Sequence, residues 1–181
     1  IVFCVRQDHA TRITKALNEL ADVMFPGKYN SDFAVQVTSN VTGAQQMAVN
    51  FDAKNNNLNG HTRLLEGYIS SKTRVCCTVG MMTTGYDCED LLNIVLLRPI
   101  FSPTDFIQIK GRGTRKYTFR YKEGASGATP TDEHRKEKEK FKLFDFFAVC
   151  EYFEEKFNYD EVIELPPLRP PGPPPCPPPP P

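Results

Sequence analysis

The chain has 181 residues, 40% hydrophobic and 24% charged, which suits one globular domain with a sizeable core and leaves room for a tail. Basic and acidic residues number 22 each, so the formal net charge is zero; whole-molecule attraction to nucleic acid or a membrane is not indicated, and any anion site must be local. No apolar run approaches the roughly 18 residues a membrane span needs, and no signal peptide is visible.

The first residues, Ile1 to Val5, read as a β-strand and lack an initiator methionine, which suggests a piece of something longer. Ala10, Ile13, Leu17, Leu20 and Met24 then recur at helical spacing, and Pro26-Gly27 stops the helix. A second β run covers 34–37, followed by a helix near 42–53 and an asparagine-rich loop over 54–61. Residues 74–79 (RVCCTV) and 93–97 (NIVLL) are apolar on both faces. Continuous apolar strands alternating with helices predict an α/β fold, a parallel sheet covered by helices on both faces.

Ser102, Pro103 and Asp105 open a helix, with serine as cap, proline at the first helical position and the carboxylate closing a capping box. Residues 124–140 read as an exposed loop or solvated helix end. The core resumes at 142–147, and an amphipathic helix runs through Phe157. From Pro166 the tail is almost pure proline, expected as extended polyproline II. Its composition favours a linker or disordered end over a ligand for aromatic grooves. The domain is therefore drawn over 1–160 and the tail over 161–181.

The six cysteines (Cys4, Cys76, Cys77, Cys88, Cys150 and Cys176) form no C-x-x-C pair, and only three histidines accompany them. Most sit in apolar runs, where a thiol acts as a small hydrophobe. That pattern fits a reducing cytoplasm and argues against a structural zinc site.

Two stretches carry chemistry. QIKGRGTR, residues 108–115, places Arg112 and Arg115 one helical step apart, so both planar donor forks could meet one phosphate. Gly111 and Gly113 would allow another surface to approach closely. From Gln108 to Lys122 there are six basic residues and no acid. A solvated basic helix end is the plainer reading, but glycines cost helix stability and ask for another reason.

The second stretch, TVGMMTTGYD over 78–87, leaves the end of a buried strand, where ligands sit in open α/β sheets. Asp87 could accept from a ribose hydroxyl, while Thr83, Thr84 and backbone N–H groups could hold a phosphate. The alternative is a polar turn with an ordinary cap.

In this order, TTGYD, then LLRPIFSPTDF, then QIKGRGTR resembles the second motor domain of superfamily-2 helicases and translocases. The first stretch is similar to their motif V. Gln108, Gly111, Arg112 and Arg115 match motif VI (Q-x-x-G-R-x-x-R), and the opening strand fits the region near motif IV. The words NIVLLRPI and LFDFFAVCEYF are similar, more narrowly, to the motor (R) subunit of type I restriction enzymes. The resemblance covers roughly residues 1–160.

It implies one of two RecA-like domains that face each other across an ATP cleft. The first domain carries the Walker A loop and the acidic residues for Mg2+. Arg112 and Arg115 would be arginine fingers reaching ATP held there. Gln108 would organise the same surface, with Gly85, Asp87 and Gly111 close to the nucleotide. Thr38, Ser39, Thr83 and Thr84 would touch the backbone of double-stranded DNA, giving position without sequence reading. The implied whole is an ATP hydrolase and site-specific deoxyribonuclease of the bacterial or archaeal cytoplasm, assembled with methylation and specificity subunits.

The departures are specific. No G-x-x-x-x-G-K-[ST] is present, so this chain cannot cradle the β- and γ-phosphates unaided. No nuclease constellation of paired carboxylates and a lysine is visible. TTGYD has one residue more than shorter motif V versions, which leaves Thr83 and Thr84 interchangeable, and residues 54–72 exceed a minimal domain. The expectation is half of a motor that folds alone and hydrolyses ATP negligibly. The runner-up within the superfamily is an ordinary unwinding helicase. A nucleic-acid module, with bases stacking on Tyr117, Phe119 and Tyr121, is a rival from another class; strict alternation over 116–122 favours a half-buried strand. The missing G-x-G-x-x-G after the first strand argues against a nucleotide-binding enzyme of the dehydrogenase type.

Overall fold

A computed structural model describes residues 1–52, 55, 57–62, 70–83, 86–122 and 133–158. Its centre is a five-stranded sheet of β1 (Val2–Cys4), β2 (Ala34–Val37), β5 (Val75–Thr78), β6 (Asn93–Leu97) and β9 (Lys142–Asp145). The order is β2-β5-β1-β6-β9, and every pairing is parallel. The crossovers are α1 (Gln7–Met24), α2 (Ala44–Phe51) and α3 (Pro103–Gly113). A short α4 (Val149–Glu151) continues as a π-helical turn over Tyr152–Lys156.

The period-2 pleat divides each strand between two faces. Phe3, Cys76, Ile94 and Leu96 point into the larger core, with Met82, Tyr86, Phe106, Ile109 and Phe153. Val2, Cys4 and Cys77 point the other way, under Ala10, Ile13 and Leu17 of α1. The parallel α/β sheet with helices on both faces is thus present. Cys4, Cys76, Cys77 and Cys88 are buried free thiols.

Two elements differ from the sequence expectation. Glu133–Glu137, in the mixed-charge run expected as loop or helix end, is β8, paired antiparallel with β7 (Thr118–Lys122). Cross-strand pairing decides the state of such a segment more than its own propensity does. The half-buried strand expected around 116–122 is β7, and the rings of Tyr117 and Phe119 meet edge to face, 5.0 Å apart. Beyond the asparagine-rich loop, β3 (His61–Thr62) and β4 (Ser70–Ser71) form a second small hairpin. Among the described residues, no helix is long and apolar enough to cross a membrane. Thr84, Gly85, and the tail with its boundary at 160 lie outside the described residues, as do parts of 54–72.

Candidate nucleotide-facing site

The start of α3 is set by the chemistry of its first turn. The Ser102 hydroxyl accepts from the Asp105 N–H at 3.3 Å, with Pro103 in the position where a missing N–H costs nothing. Phe106, Ile109 and Gly113 fall on the buried face, and Phe106 stacks on Phe153 with ring centres 5.0 Å apart. Gln108 and Arg112, one turn apart, are half-buried beside that stripe.

The helix ends at Gly113, with Thr114 as its C-cap, so Arg115 lies one residue past the cap. This corrects the expectation of two arginines on one helical face. They still converge, because both meet the loop that carries the chain from the carboxyl end of β5 to the amino end of β6. Arg112 donates from Nε (3.3 Å) and Nη2 (2.8 Å) to the Thr83 carbonyl, and from Nη1 to the Tyr86 carbonyl. Arg115 Nε lies 3.2 Å from Asp87 Oδ1, an ion pair without hydrogen-bond alignment, its side chains 54% and 40% exposed.

The loop itself is held from below. Met82, Tyr86, Cys88 and Leu91 are buried in the larger core. The Cys88 thiol lies 2.9 Å from Asp90 Oδ1. Burial pushes the Tyr86 phenol and the Cys88 thiol well above their ordinary ranges, and it also raises the Asp90 carboxyl. Both the phenol and the thiol therefore stay protonated at neutral pH, acting as apolar anchors with a donor each. Thr83 Oγ1 is buried with no hydrogen-bond partner among the described residues.

The two glycines divide. A Cβ on Gly113 would lie 2.2 Å from the Phe141 ring, so the close approach there is by the chain's own aromatic side chain and not by a second surface. A Cβ on Gly111 would meet nothing within 4 Å, which leaves that side of α3 open to solvent. Next to Arg115 is a cleft of about 360 Å³ lined by Gly113, Arg115, Lys138, Lys140 and Phe141, among others.

At the carboxyl edge of the sheet Thr38 and Ser39 follow β2, next to β5 in register. Thr38 is fully buried, its hydroxyl accepting from Gln36 Nε2 (2.7 Å) and donating to Asn40 Oδ1 (2.5 Å). Ser39 is exposed, its hydroxyl accepting from Gln7 Nε2 at 3.1 Å. Of these two hydroxyls, Ser39 faces a ligand approaching the surface, and Thr38 is spent internally.

Sequence reasoning missed Lys138, whose ammonium donates to the Glu89 carbonyl at 3.0 Å and ties the β7–β8 hairpin to the same loop. Burial lowers its pKa. Nothing in EKEK distinguishes this lysine from its solvated neighbours. Phe141 was missed as the partner of Gly113 for a similar reason: a glycine announces a close approach without naming what approaches.

No family model matches the chain, and no curated protein matches it. Among solved structures, the chain is similar to a restriction-enzyme fragment. That structure, "The fragment structure of a putative HsdR subunit of a type I restriction enzyme", from Vibrio vulnificus, is 30% identical over 63% of this chain. The matched part is 19% of that chain, so this chain spans about a fifth of it, and the TM-score is 0.47. A superposition at that score does not by itself carry a fold or a function.

Proposed function

We propose that this chain is the second RecA-like lobe of an ATP-dependent double-stranded DNA translocase, the motor of a type I restriction enzyme. The observation that carries the reading is the meeting of the two motif stretches. Arg112 sits on the carbonyls of Thr83 and Tyr86, and Arg115 sits on Asp87, so a change at the arginines is felt at the loop. ATP lies in a cleft completed by the first RecA-like lobe, whose acidic residues hold Mg2+. Guanidinium charge brought to the γ-phosphate stabilises the charge that spreads over it in the transition state. Gln108 lines the same side of α3, and Gly111 leaves room for the opposing lobe.

On the DNA side, Ser39 and Thr84 contact phosphates, with the buried Thr38 and Thr83 supporting this edge from within. Methylation and specificity subunits supply sequence recognition and modification. Hydrolysis of ATP drives movement along the duplex, and the nuclease that cuts it belongs to another part of the subunit.

The test uses a protein that carries both motor lobes. Arg115→Ala should lower ATP turnover by about 10³-fold, the loss expected for an arginine finger. Turnover equal to that of the parent protein would count against the reading. The 181-residue chain alone should bind ATP weakly and turn it over negligibly. Turnover by the purified chain, abolished by Arg115→Ala, would refute the two-lobe site.

A further inference from the structure

Arg112 and Arg115 are held in ways that fit them for different work. Arg112 is half-buried inside α3, and its Nε, Nη1 and Nη2 all point at backbone carbonyls. Those two carbonyls belong to Thr83 and Tyr86, three residues apart in the chain. A guanidinium offers five N–H groups in one plane, and this geometry commits at least three of them. Delivering Arg112 to a phosphate would give up all three bonds and strip the Thr83 and Tyr86 carbonyls of this donor.

Arg115 is the opposite case. It lies beyond the helix cap, and its partner Asp87 is only partly exposed and makes no aligned hydrogen bond to it. With one unaligned contact and both side chains partly in solvent, this pair is held more weakly than the three bonds of Arg112. The cleft beside Arg115 gives the side chain space to turn, and its walls carry Lys138, held by the Glu89 carbonyl, and Lys140 against a single acid, Glu139.

We infer that Arg112 is a positioning residue, a clamp between α3 and the backbone at Thr83 and Tyr86, and that Arg115 alone of the pair exchanges its carboxylate for a phosphate. The clamp follows from the hydrogen bonds themselves; the phosphate rests on the motor reading above. A lysine at 112 would keep the charge but lose the planar fork that bridges two carbonyls. Arg112→Lys is therefore the variant that separates charge from geometry.

The first measurement is amide hydrogen exchange on the 181-residue chain without nucleotide, read at residues 79–83 and 86–92 relative to β1 and β6. Arg112→Lys should speed exchange in the loop about tenfold or more relative to the sheet, as loss of a charge-assisted bond requires. Arg115→Ala should leave that ratio unchanged. Loop and sheet speeding up together, or an unchanged loop, overturns the clamp.

The second measurement is turnover in the two-lobe protein against DNA concentration. Arg112→Lys should raise the DNA concentration for half-maximal turnover and recover kcat at saturation, because it loosens a DNA-facing turn without removing a finger. Arg115→Ala should lose kcat by about 10³-fold at every DNA concentration. Equal loss of saturated kcat in both variants overturns the division of labour. Should the parent two-lobe protein turn over no ATP, the motor reading fails, while the exchange result still decides the clamp.

Discussion

On one face of the sheet Phe3, Ile94 and Leu96 lie beneath residues of α2, α3 and the closing helical turn; on the other, Val2, Cys4 and Cys77 lie beneath α1. The first face is filled by large side chains, with Phe106, Ile109, Met82 and Phe153 almost fully buried. The second is filled by small ones. The buried residues of α1 are Ala10 and Ala21, while Leu20, Val23 and Met24 of the same helix are more than half exposed. Packing density on the first face fixes the 79–92 loop and the arginine helix together. The second face serves chiefly to close the β1–β2 crossover. The contact between Arg112 and the carbonyls of Thr83 and Tyr86 is hung on the side where displacement costs most.

The largest effect expected from this asymmetry appears at the first face. Phe153→Ala removes a ring stacked on Phe106 and should destabilise the chain by about 3–5 kcal/mol in denaturant titration. If Leu17→Ala on the second face costs as much, the two faces are equivalent and the comparison fails.

Alkaline pH tests both faces through their thiols. Burial raises the Cys4 pKa from 9.0 to about 12, and it also raises Cys76 and Cys77. A thiol whose folded pKa exceeds its unfolded value contributes its full stability below pH 9.0. That contribution is lost as pH rises toward the folded value. Melting temperature should therefore fall steadily above pH 9.0, and Cys4→Ala should flatten the decline. A melting temperature indifferent to alkali would show that water already reaches these thiols.

Smaller effects come from the glycine pair. Gly113→Ala drives a methyl into Phe141 and should cost about 1–3 kcal/mol, as overpacking does. Gly111→Ala meets open space and should gain up to about 1 kcal/mol of helix stability in the isolated chain. In the two-lobe protein the same Gly111→Ala should lower ATP turnover if the opposing lobe packs there. A stabilised chain with normal turnover would place that lobe elsewhere.

Much of the fold can be read from the pattern of side chains alone. The strand at 93–97, the helix that follows Ser102 and the crossover helix over 7–24 all announce themselves through periodicity and capping. What periodicity cannot convey is a partner. β8 is a strand because β7 lies opposite it, and EHRKE carries no β signal of its own. At the site, the arginines and Asp87 are legible as charged groups near glycines. Their arrangement is not, because Arg112 binds backbone carbonyls, and every residue has one. The exit of Arg115 from the helix depends on Gly113 ending it, and QIKGRGTR is equally compatible with one more turn. The burial of Thr38 is decided by Gln36 and Asn40 folding over it, a local choice that Thr38-Ser39 read in isolation cannot reveal.

Strand order also has a consequence for synthesis. The sheet's middle strand leaves the ribosome first among these five, yet its two neighbours begin only at Val75 and Asn93. At about 5–20 residues per second, Val2 to Cys4 waits roughly 4–15 seconds for a flanking strand to emerge. Throughout that interval an apolar segment has both hydrogen-bonding edges bare, available to other nascent chains and to chaperones alike. Yield during expression should accordingly depend on elongation speed across the codons for residues 1–97 more than on the stability of the finished domain.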